Sequence, residues 1–239
     1  MKHKNQLLTA TILLALTALL VSGCIQGPTQ TRSEEVSDFN RIRIESFGEI
    51  LIEQGEQESL TIEAPRDYLR YITTEVKDHT LVINTRRGFI GGPAHRVVYT
   101  ITVKDLEDIT LSGAGAVKVM SLETQDLMIT LTGAGSIEID ALQAEDLEVN
   151  LTSAGAIVIA GKVENQEINL SGVGSYEAGD LRSDETTILL SGAGSAVVWV
   201  EDHLDVQVTG LGSVSYYGKN PTVRQNISGL GSVNSRGER

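Results

Sequence analysis

Leu111-Ser112-Gly113-Ala114-Gly115-Ala116-Val117 is the stretch that decides the fold, because six further copies of it follow along the chain. The copies begin at Leu131, Leu151, Leu170, Leu190, Val208 and Ile227, so the steps between them are 20, 20, 19, 20, 18 and 19 residues. A sequence period of this length is typical of a solenoid, in which each repeat stacks on its neighbours. The repeat therefore predicts the shape of the molecule before any single residue predicts a function.

Apolar residues recur at four fixed positions of each copy, two on each side of the glycine pair. In the first copy they are Ile109, Leu111, Val117 and Val119, and nearly every equivalent position in the other copies is also apolar. Within each flanking segment these positions share one parity, so each segment is predicted to be a strand with one buried face. The predicted fold is all-β: a single-stranded, right-handed parallel β-helix with coils of about 20 residues. The handedness follows from the preference for right-handed parallel crossovers.

The two glycines of the motif are predicted to form a corner between the strands. The second glycine is present in all seven copies, as Gly115, Gly135, Gly155, Gly174, Gly194, Gly212 and Gly231. The first is replaced by Ser153 in the third copy. We therefore expect the second position to have positive φ or a close backbone approach, and the first to need only a small residue. A hydroxyl residue precedes every corner, from Ser112 to Ser228, and it is predicted to make structural hydrogen bonds because no base recurs beside it.

Residues 38–105 precede the regular copies and are predicted to form irregular coils and an N-terminal cap. Short runs of alternating apolar residues indicate strands, and the segment 47–52 resembles a degenerate corner followed by a strand. The segment 65–70 is predicted to be one helical turn. A solenoid needs such an atypical first unit because its end otherwise exposes unpaired backbone and core. The stretch 86–93 is interpreted as a hairpin connection, with a partner-binding tip as the alternative.

The first 23 residues are predicted to be a lipoprotein signal peptide. The apolar run from Leu7 to Val21 is shorter than the roughly 20 residues of a membrane span. Val21-Ser22-Gly23-Cys24 then resembles a lipobox, whose cysteine takes a diacylglyceryl group, and Cys24 is the single cysteine of the chain. Residues 24–37 are polar and are predicted to be a flexible tether. The head domain is predicted to span 38–239, with regular repeats at 106–235.

The predicted location is therefore outside the cytoplasm, with the protein lipid-anchored to a cell-envelope membrane. Ile25 stands where some bacteria carry an acidic inner-membrane retention signal, which indicates the outer membrane if the cell has one. The formal net charge of −13 at pH 7 repels phosphate backbones, so nucleic acid is not expected to be a partner.

No catalytic constellation and no resident cofactor or metal site is predicted. His79, His95 and His203 have no spacing relation, and the glycine corners lie between strands rather than before a helix. Acidic residues do collect before the copies, at Glu123, Asp126, Glu145, Asp146, Glu164, Glu167, Asp184, Glu185, Asp202 and Asp205. They are interpreted as solvated charges stacked along one edge, with Ca²⁺ binding as the alternative.

Trp199 and Tyr217 are the candidate ligand-binding residues. Each lies seven residues after the first corner position, in adjacent copies, and has the parity opposite to the buried columns. Two aromatic side chains on neighbouring coils can stack on a sugar ring or contact a protein. The alternative is that they cover the turn of the coil.

Three features besides the corners resemble a known domain family, the head domain of autotransporter adhesins, or head GIN domain. They are the opening Asp38-Phe39-Asn40-Arg41-Ile42, the segment 52–55 and the closing Tyr217-Gly218-Lys219-Asn220-Pro221. The resemblance covers about 38–235 and implies a right-handed parallel β-helix exported to the cell envelope, often as a lipoprotein. It supplies no catalytic residues.

The function predicted first is a non-enzymatic adhesion or surface-interaction module. Its expected partners are the membrane, through the lipid anchor, and a glycan or an envelope or surface protein. A structural or assembly partner in the envelope is the alternative. A polysaccharide-active β-helix enzyme is favoured less, because convergent carboxylates beside a basic residue are not evident.

Overall fold

The computed structural model describes residues 29–86 and 96–239, which form twenty strands and one short helix. The strands before the regular copies are β1 (Thr29–Glu34), β2 (Arg41–Glu45), β3 (Phe47–Gln54), β4 (Ser59–Pro65), β5 (Ile72–Lys77), β6 (Thr80–Thr85) and β7 (Val98–Val103). Helix α1 (Arg66–Leu69) lies between β4 and β5, where one helical turn was predicted.

The regular copies contain the remaining strands. They are β8 (Asp108–Leu111), β9 (Ala114–Val119), β10 (Leu122–Glu123), β11 (Asp126–Leu131), β12 (Ala134–Gln143), β13 (Asp146–Leu151), β14 (Gly155–Lys162), β15 (Asn165–Leu170), β16 (Ser175–Leu190), β17 (Ser195–Val208), β18 (Ser213–Tyr217), β19 (Thr222–Ile227) and β20 (Ser232–Ser235).

Successive copies pair in parallel and in register, as the 20-residue period predicts. Ile129 pairs with Val149 before the corner, and Ile137 pairs with Ile157 after it. All four of these side chains are at most 1% exposed, so the inward residues of one coil lie directly on those of the next. The result is a β-solenoid of about six turns with coils of about 20 residues, which confirms the predicted fold class.

Each coil also has a short third face where the sequence predicted only a turn. Leu122 of β10 pairs with Leu142 at the end of β12, and Leu142 pairs with Gly161 at the end of β14. Leu122 and Leu142 are buried, and so is Leu181 on the equivalent part of β16. This column was not recognised in the sequence because Gly161 and small changes in coil length interrupt it.

The first coils do not stack in the order in which the chain makes them. On the first face β2 lies between β6 and β8, and on the second face β3 lies between β7 and β9, all in parallel. The chain therefore forms the second coil of the stack first, with β2 and β3. It then continues through β4, α1 and β5, and forms the first coil with β6 and β7. Gly48 pairs with Gly115, so the predicted degenerate corner at 47–52 is confirmed.

Antiparallel strands close the N-terminal end of the stack. β4 pairs with β7, β5 with β6, and β1 with β4 along six register pairs. Arg32 of β1 donates from its terminal nitrogens to the Leu69 carbonyl (2.5 Å) and the Ile72 carbonyl (3.1 Å). The flexible tether predicted for 24–37 is therefore wrong over Thr29–Glu34, because this segment completes the cap as a paired strand.

The corner glycines approach the neighbouring backbone closely and, within the described chain, none in the regular copies has φ in the left-handed region. A Cβ on Gly135 would lie 2.0 Å from the Gly115 carbonyl oxygen. The first position is as crowded or more so, since a Cβ on Gly133 would lie 1.9 Å from the Gly113 oxygen. The predicted close approach is confirmed, but the prediction that only the second position is strict is wrong. In the third copy Ser153 occupies this position, and its hydroxyl donates to the Gly133 carbonyl at 2.5 Å.

The hydroxyl residues before the corners mostly do not make the predicted structural hydrogen bonds. They are exposed, and in the described chain only Ser112 uses its hydroxyl, donating to the Ile44 carbonyl at 3.3 Å. The backbone amides at these positions bond instead to the preceding coil, for example Thr132 N–H to the Leu111 carbonyl at 3.0 Å. Main-chain hydrogen bonds between coils therefore satisfy the backbone amides at the corners without the hydroxyl side chains.

The N-terminal core contains a buried tyrosine whose pKa is strongly shifted. Tyr99 is fully buried, and burial raises its pKa to about 12, although a hydrogen bond with Ser46 (2.8 Å) and the charge of Arg32 oppose the rise. Burial also raises the pKa of Tyr176 in the repeats.

We expect stability to fall as the pH rises from about 10 to 12. In this window the unfolded chain loses the Tyr99 proton while the folded chain keeps it, which costs about 2–3 kcal/mol by the end. Urea unfolding at a series of pH values measures the slope, and Tyr99→Phe should reduce it. An identical slope in both proteins would contradict the assignment.

No helix within the described ranges has the length and apolar character that a membrane crossing needs. The predicted signal peptide, Cys24 and the tether residues 24–28 lie outside the described residues, as does most of the 86–93 stretch.

Candidate functional site

Trp199 and Tyr217 are brought together on the third face of the solenoid. They are direct register partners in the parallel pairing of β17 with β18. Below them, Trp199 pairs with Arg182 of β16, and Arg182 pairs with Lys162 of β14. Above them stands Arg236, which follows the register partner of Tyr216 and places its guanidinium 5.8 Å from the Tyr217 ring centre. These five residues, Lys162, Arg182, Trp199, Tyr217 and Arg236, are called the aromatic strip below.

A shared carboxylate orients Trp199 and Arg182. The indole Nε1–H donates to Glu201 Oε1 at 3.0 Å, and Arg182 Nε lies 3.3 Å from the same oxygen. Trp199 is half-buried, and the Arg182 side chain is 47% exposed. Glu201 therefore holds an indole and a guanidinium side by side at the surface.

Tyr217 packs at a register shift in the third face, where β17 is shorter than β16. Residues 179–181 of β16 have no counterpart in β17, because the register passes from Ala178↔Val198 directly to Arg182↔Trp199. The Tyr217 ring lies over Gly179, where a Cβ would be 3.2 Å from Tyr217 Cε2. The Arg239 guanidinium lies 5.1 Å from the ring centre on a side chain that also binds Asp180. The Tyr217 ring is therefore packed against Gly179 and Arg239, whereas the Trp199 ring is held by Glu201.

A buried polar cluster supports the strip from inside the solenoid. Tyr176 Oη donates to Gln166 Oε1 (2.9 Å), Gln166 Nε2 donates to Ser183 Oγ (2.8 Å), and Ser183 Oγ donates to the Trp199 carbonyl (2.9 Å). Because Ser183 has one hydroxyl hydrogen, Thr186 is the donor in their 2.7 Å contact. All four side chains of this cluster are at most 3% exposed. The cluster links the core to the backbone of Trp199.

A groove of about 850 Å³ lies on the first face. It runs across β2, β8, β11, β13, β15 and the end of β16, and its lining includes Asp108, Asp126, Asp146, Glu148, Glu167 and Glu185. Asp126 pairs in register with Asp146, so this part of the predicted acidic stack is confirmed. Glu148, which was not predicted, pairs with Glu167. Arg41 and Arg43 lie at the N-terminal end of the groove.

Calcium has no gathered ligand set in this groove. Across residues 29–86 and 96–239 there is no group of three or more His, Cys, Asp or Glu side chains placed to hold a metal ion. Asn165 interrupts the acidic row and donates to Asp146 Oδ1 at 2.8 Å, while Asn150 donates to Glu148 Oε1 at 2.7 Å. Neighbouring amides therefore bind these carboxylates.

The fold is a β-solenoid, and the aromatic strip is the candidate site on its surface. The chain belongs to the family described as putative auto-transporter adhesin, head GIN domain, whose model matches residues 38–221. No curated protein matches the sequence.

Solved structures of similar proteins share the architecture. A putative adhesin from Bacteroides fragilis has 28% sequence identity and a TM-score of 0.83, over 87% of this chain and 97% of that one. A putative lipid binding protein from Parabacteroides distasonis has 22% identity and a TM-score of 0.70, with the same coverage. A putative adhesin from Parabacteroides merdae has 20% identity and a TM-score of 0.65, over 87% of this chain and 96% of that one. The last two similarities show the fold alone.

Sequence reasoning placed the aromatic pair on one surface but missed its neighbours. Arg182 was not recognised because residues 179–181 shift it out of the repeat position that Trp199 and Tyr217 share. Arg236 could have been found from the sequence, because it lies seven residues after Gly229, the first corner glycine of the last copy, and so shares the repeat position of Trp199 and Tyr217.

Proposed function

We propose that this protein is a non-enzymatic adhesion module of the cell surface, held at an envelope membrane by lipid on Cys24. Its recognition site in this proposal is the aromatic strip. Membership of an adhesin family supports an exported surface role. The observation that carries the site is the register pairing of Trp199, the only tryptophan of the chain, with Tyr217.

The adhesive role is physically reasonable because a solenoid is rigid and presents the same face on every coil. A half-buried indole provides a large apolar contact at little cost in conformational entropy, since its partner Glu201 already fixes it. The lipid supplies the anchorage, because several acyl chains together hold a protein stably on a membrane.

Replacement of Trp199 by Ala is expected to lower attachment of cells that display the full chain to about a fifth or less, since the apolar contact is lost. The measurement counts attached cells of a gene-deletion strain that carries each variant. Met120→Ala is the matched control, because Met120 occupies the same repeat position in the first copy and is 59% exposed. Cys24→Ser should abolish attachment by releasing the protein from the membrane.

Normal attachment by the Trp199→Ala strain, with equal amounts of protein on the cell surface, would show that the aromatic strip is not the adhesive site. Attachment by the Cys24→Ser strain at the level of the parent would show that lipid on Cys24 does not hold the protein at the membrane.

A further inference from the structure

The aromatic strip differs in charge from the rest of the molecule. The chain has 32 acidic and 19 basic residues, yet the strip itself contains three cations and no carboxylate. Among residues 29–86 and 96–239, the carboxylate that contacts the strip through an ion pair or a hydrogen bond to the indole is Glu201. Asp180 pairs with Arg239, which is outside the strip. Charges more than about 8 Å apart are largely screened at physiological ionic strength, so a ligand in contact with the strip meets mainly the strip's own cations.

Arg182 has unused hydrogen-bonding capacity. Its Nε faces Glu201, while its two terminal nitrogens have no acceptor among the described residues of the chain. A guanidinium edge with two free N–H groups matches the geometry of a planar carboxylate, which it binds through two parallel hydrogen bonds. Lys162, one strand away, is exposed and pairs with no carboxylate within the described ranges.

The indole beside this guanidinium favours a ring-shaped ligand. An aromatic side chain offers a flat apolar platform to the C–H face of a sugar, and Glu201 fixes Trp199 next to Arg182. From Lys162 to Arg236 the strip crosses four steps between parallel strands, about 19 Å. An extended ligand with rings and regularly spaced carboxylates fits a surface of this length and composition.

We infer that the strip binds acidic oligosaccharides, with a sugar ring against Trp199 and its carboxylate on Arg182. This inference rests on the proposed adhesive function and names the class of its ligand. Lys162 meets the carboxylate of a further sugar unit. Tyr217, packed against Gly179 and Arg239, contributes its ring edge to the ligand.

Calorimetric titration of the full chain tests the inference with oligosaccharides of galacturonate, mannuronate and glucuronate. The matched probes are the methyl esters of the same oligosaccharides, which keep the rings and linkages but lose the charge. At least one acid form is expected to bind about tenfold more tightly than its ester, as a two-bond ionic contact gives. The preference should decrease as salt concentration rises.

Variants separate the two contacts. Arg182→Gln should abolish the preference for the acid and leave binding of the ester within about twofold. Trp199→Ala should weaken acid and ester alike by about tenfold. Arg224→Gln, which removes an exposed cation on β19 outside the strip, is the control and should bind like the parent. Thermal unfolding of each variant verifies that the fold is kept.

If acids and esters bind with equal affinity and Trp199→Ala weakens both, the inference of an acidic ligand is overturned. The aromatic strip would then remain the proposed adhesive site. Absence of binding by all three acids at millimolar concentration would overturn the inference as well. In that case the cell-attachment experiment still decides the proposed function by itself.

Discussion

Gly135→Ala is expected to destabilise the solenoid by about 3 kcal/mol, because the added methyl group has no room beside the neighbouring coil. The new Cβ would lie 2.0 Å from the carbonyl oxygen of Gly115 and 3.1 Å from its nitrogen. The obstruction is backbone of strand β9, which pairs in parallel with β3 on one side and β12 on the other and cannot move away as a side chain can. Urea unfolding followed by far-UV circular dichroism measures the loss.

Ala134→Ser is the matched control, because Ala134 lies between the two corner glycines and is exposed. It should change the free energy of unfolding by less than about 0.5 kcal/mol. If Gly135→Ala unfolds at the same urea concentration as the parent, the close approach of the corners is not what selects glycine there.

Tyr176→Phe is expected to cost about 1–3 kcal/mol, because it removes the donor to a buried oxygen of Gln166. The cost arises from the unpaired Gln166 Oε1 rather than from lost packing, since the ring stays in place. Adding Gln166→Leu should therefore restore most of the stability. Leucine already occupies the equivalent register positions of the two preceding coils, at Leu127 and Leu147.

A double-mutant cycle measured by urea unfolding tests this coupling. Ser183 remains paired in the double variant, since it donates to the Trp199 carbonyl and accepts from Thr186. A double variant as unstable as the sum of its single changes would show that Tyr176 and Gln166 act independently.

Much of the repeat region could be predicted because its information is local and periodic. Residues such as Ile129 and Leu131 alternate inward every second position, and the same alternation returns about 20 residues later. Both properties are visible in a string of letters, and together they require strands stacked in register. The polar cluster was harder to predict, because Gln166 and Thr186 occupy a column that is leucine in neighbouring copies and their partners come from other positions in the coils.

The corners show how a correct pattern can lead to a wrong explanation. The presence of Ser153 suggested that the first position is permissive, whereas the structure leaves a Cβ less room at Gly133 than at Gly155. The serine donates its one hydroxyl hydrogen to the Gly133 carbonyl of the preceding coil, at 2.5 Å. A single replacement in a repeat can therefore reflect a local adjustment of the structure as well as tolerance of other residues at that position.

The sequence by itself determined the coil: its length, its two long strands, its glycine corner and the side chains that fill it. Only the tertiary structure decided that β2 and β3 lie above β6 and β7, and that β1 belongs to the cap. It also decided that Arg182 stands beside Trp199. These contacts join segments that are not related by a fixed period, so no regular spacing in the sequence predicts them. They form because unpaired strand edges and open core at the solenoid end must be covered, and because a shortened coil shifts the register.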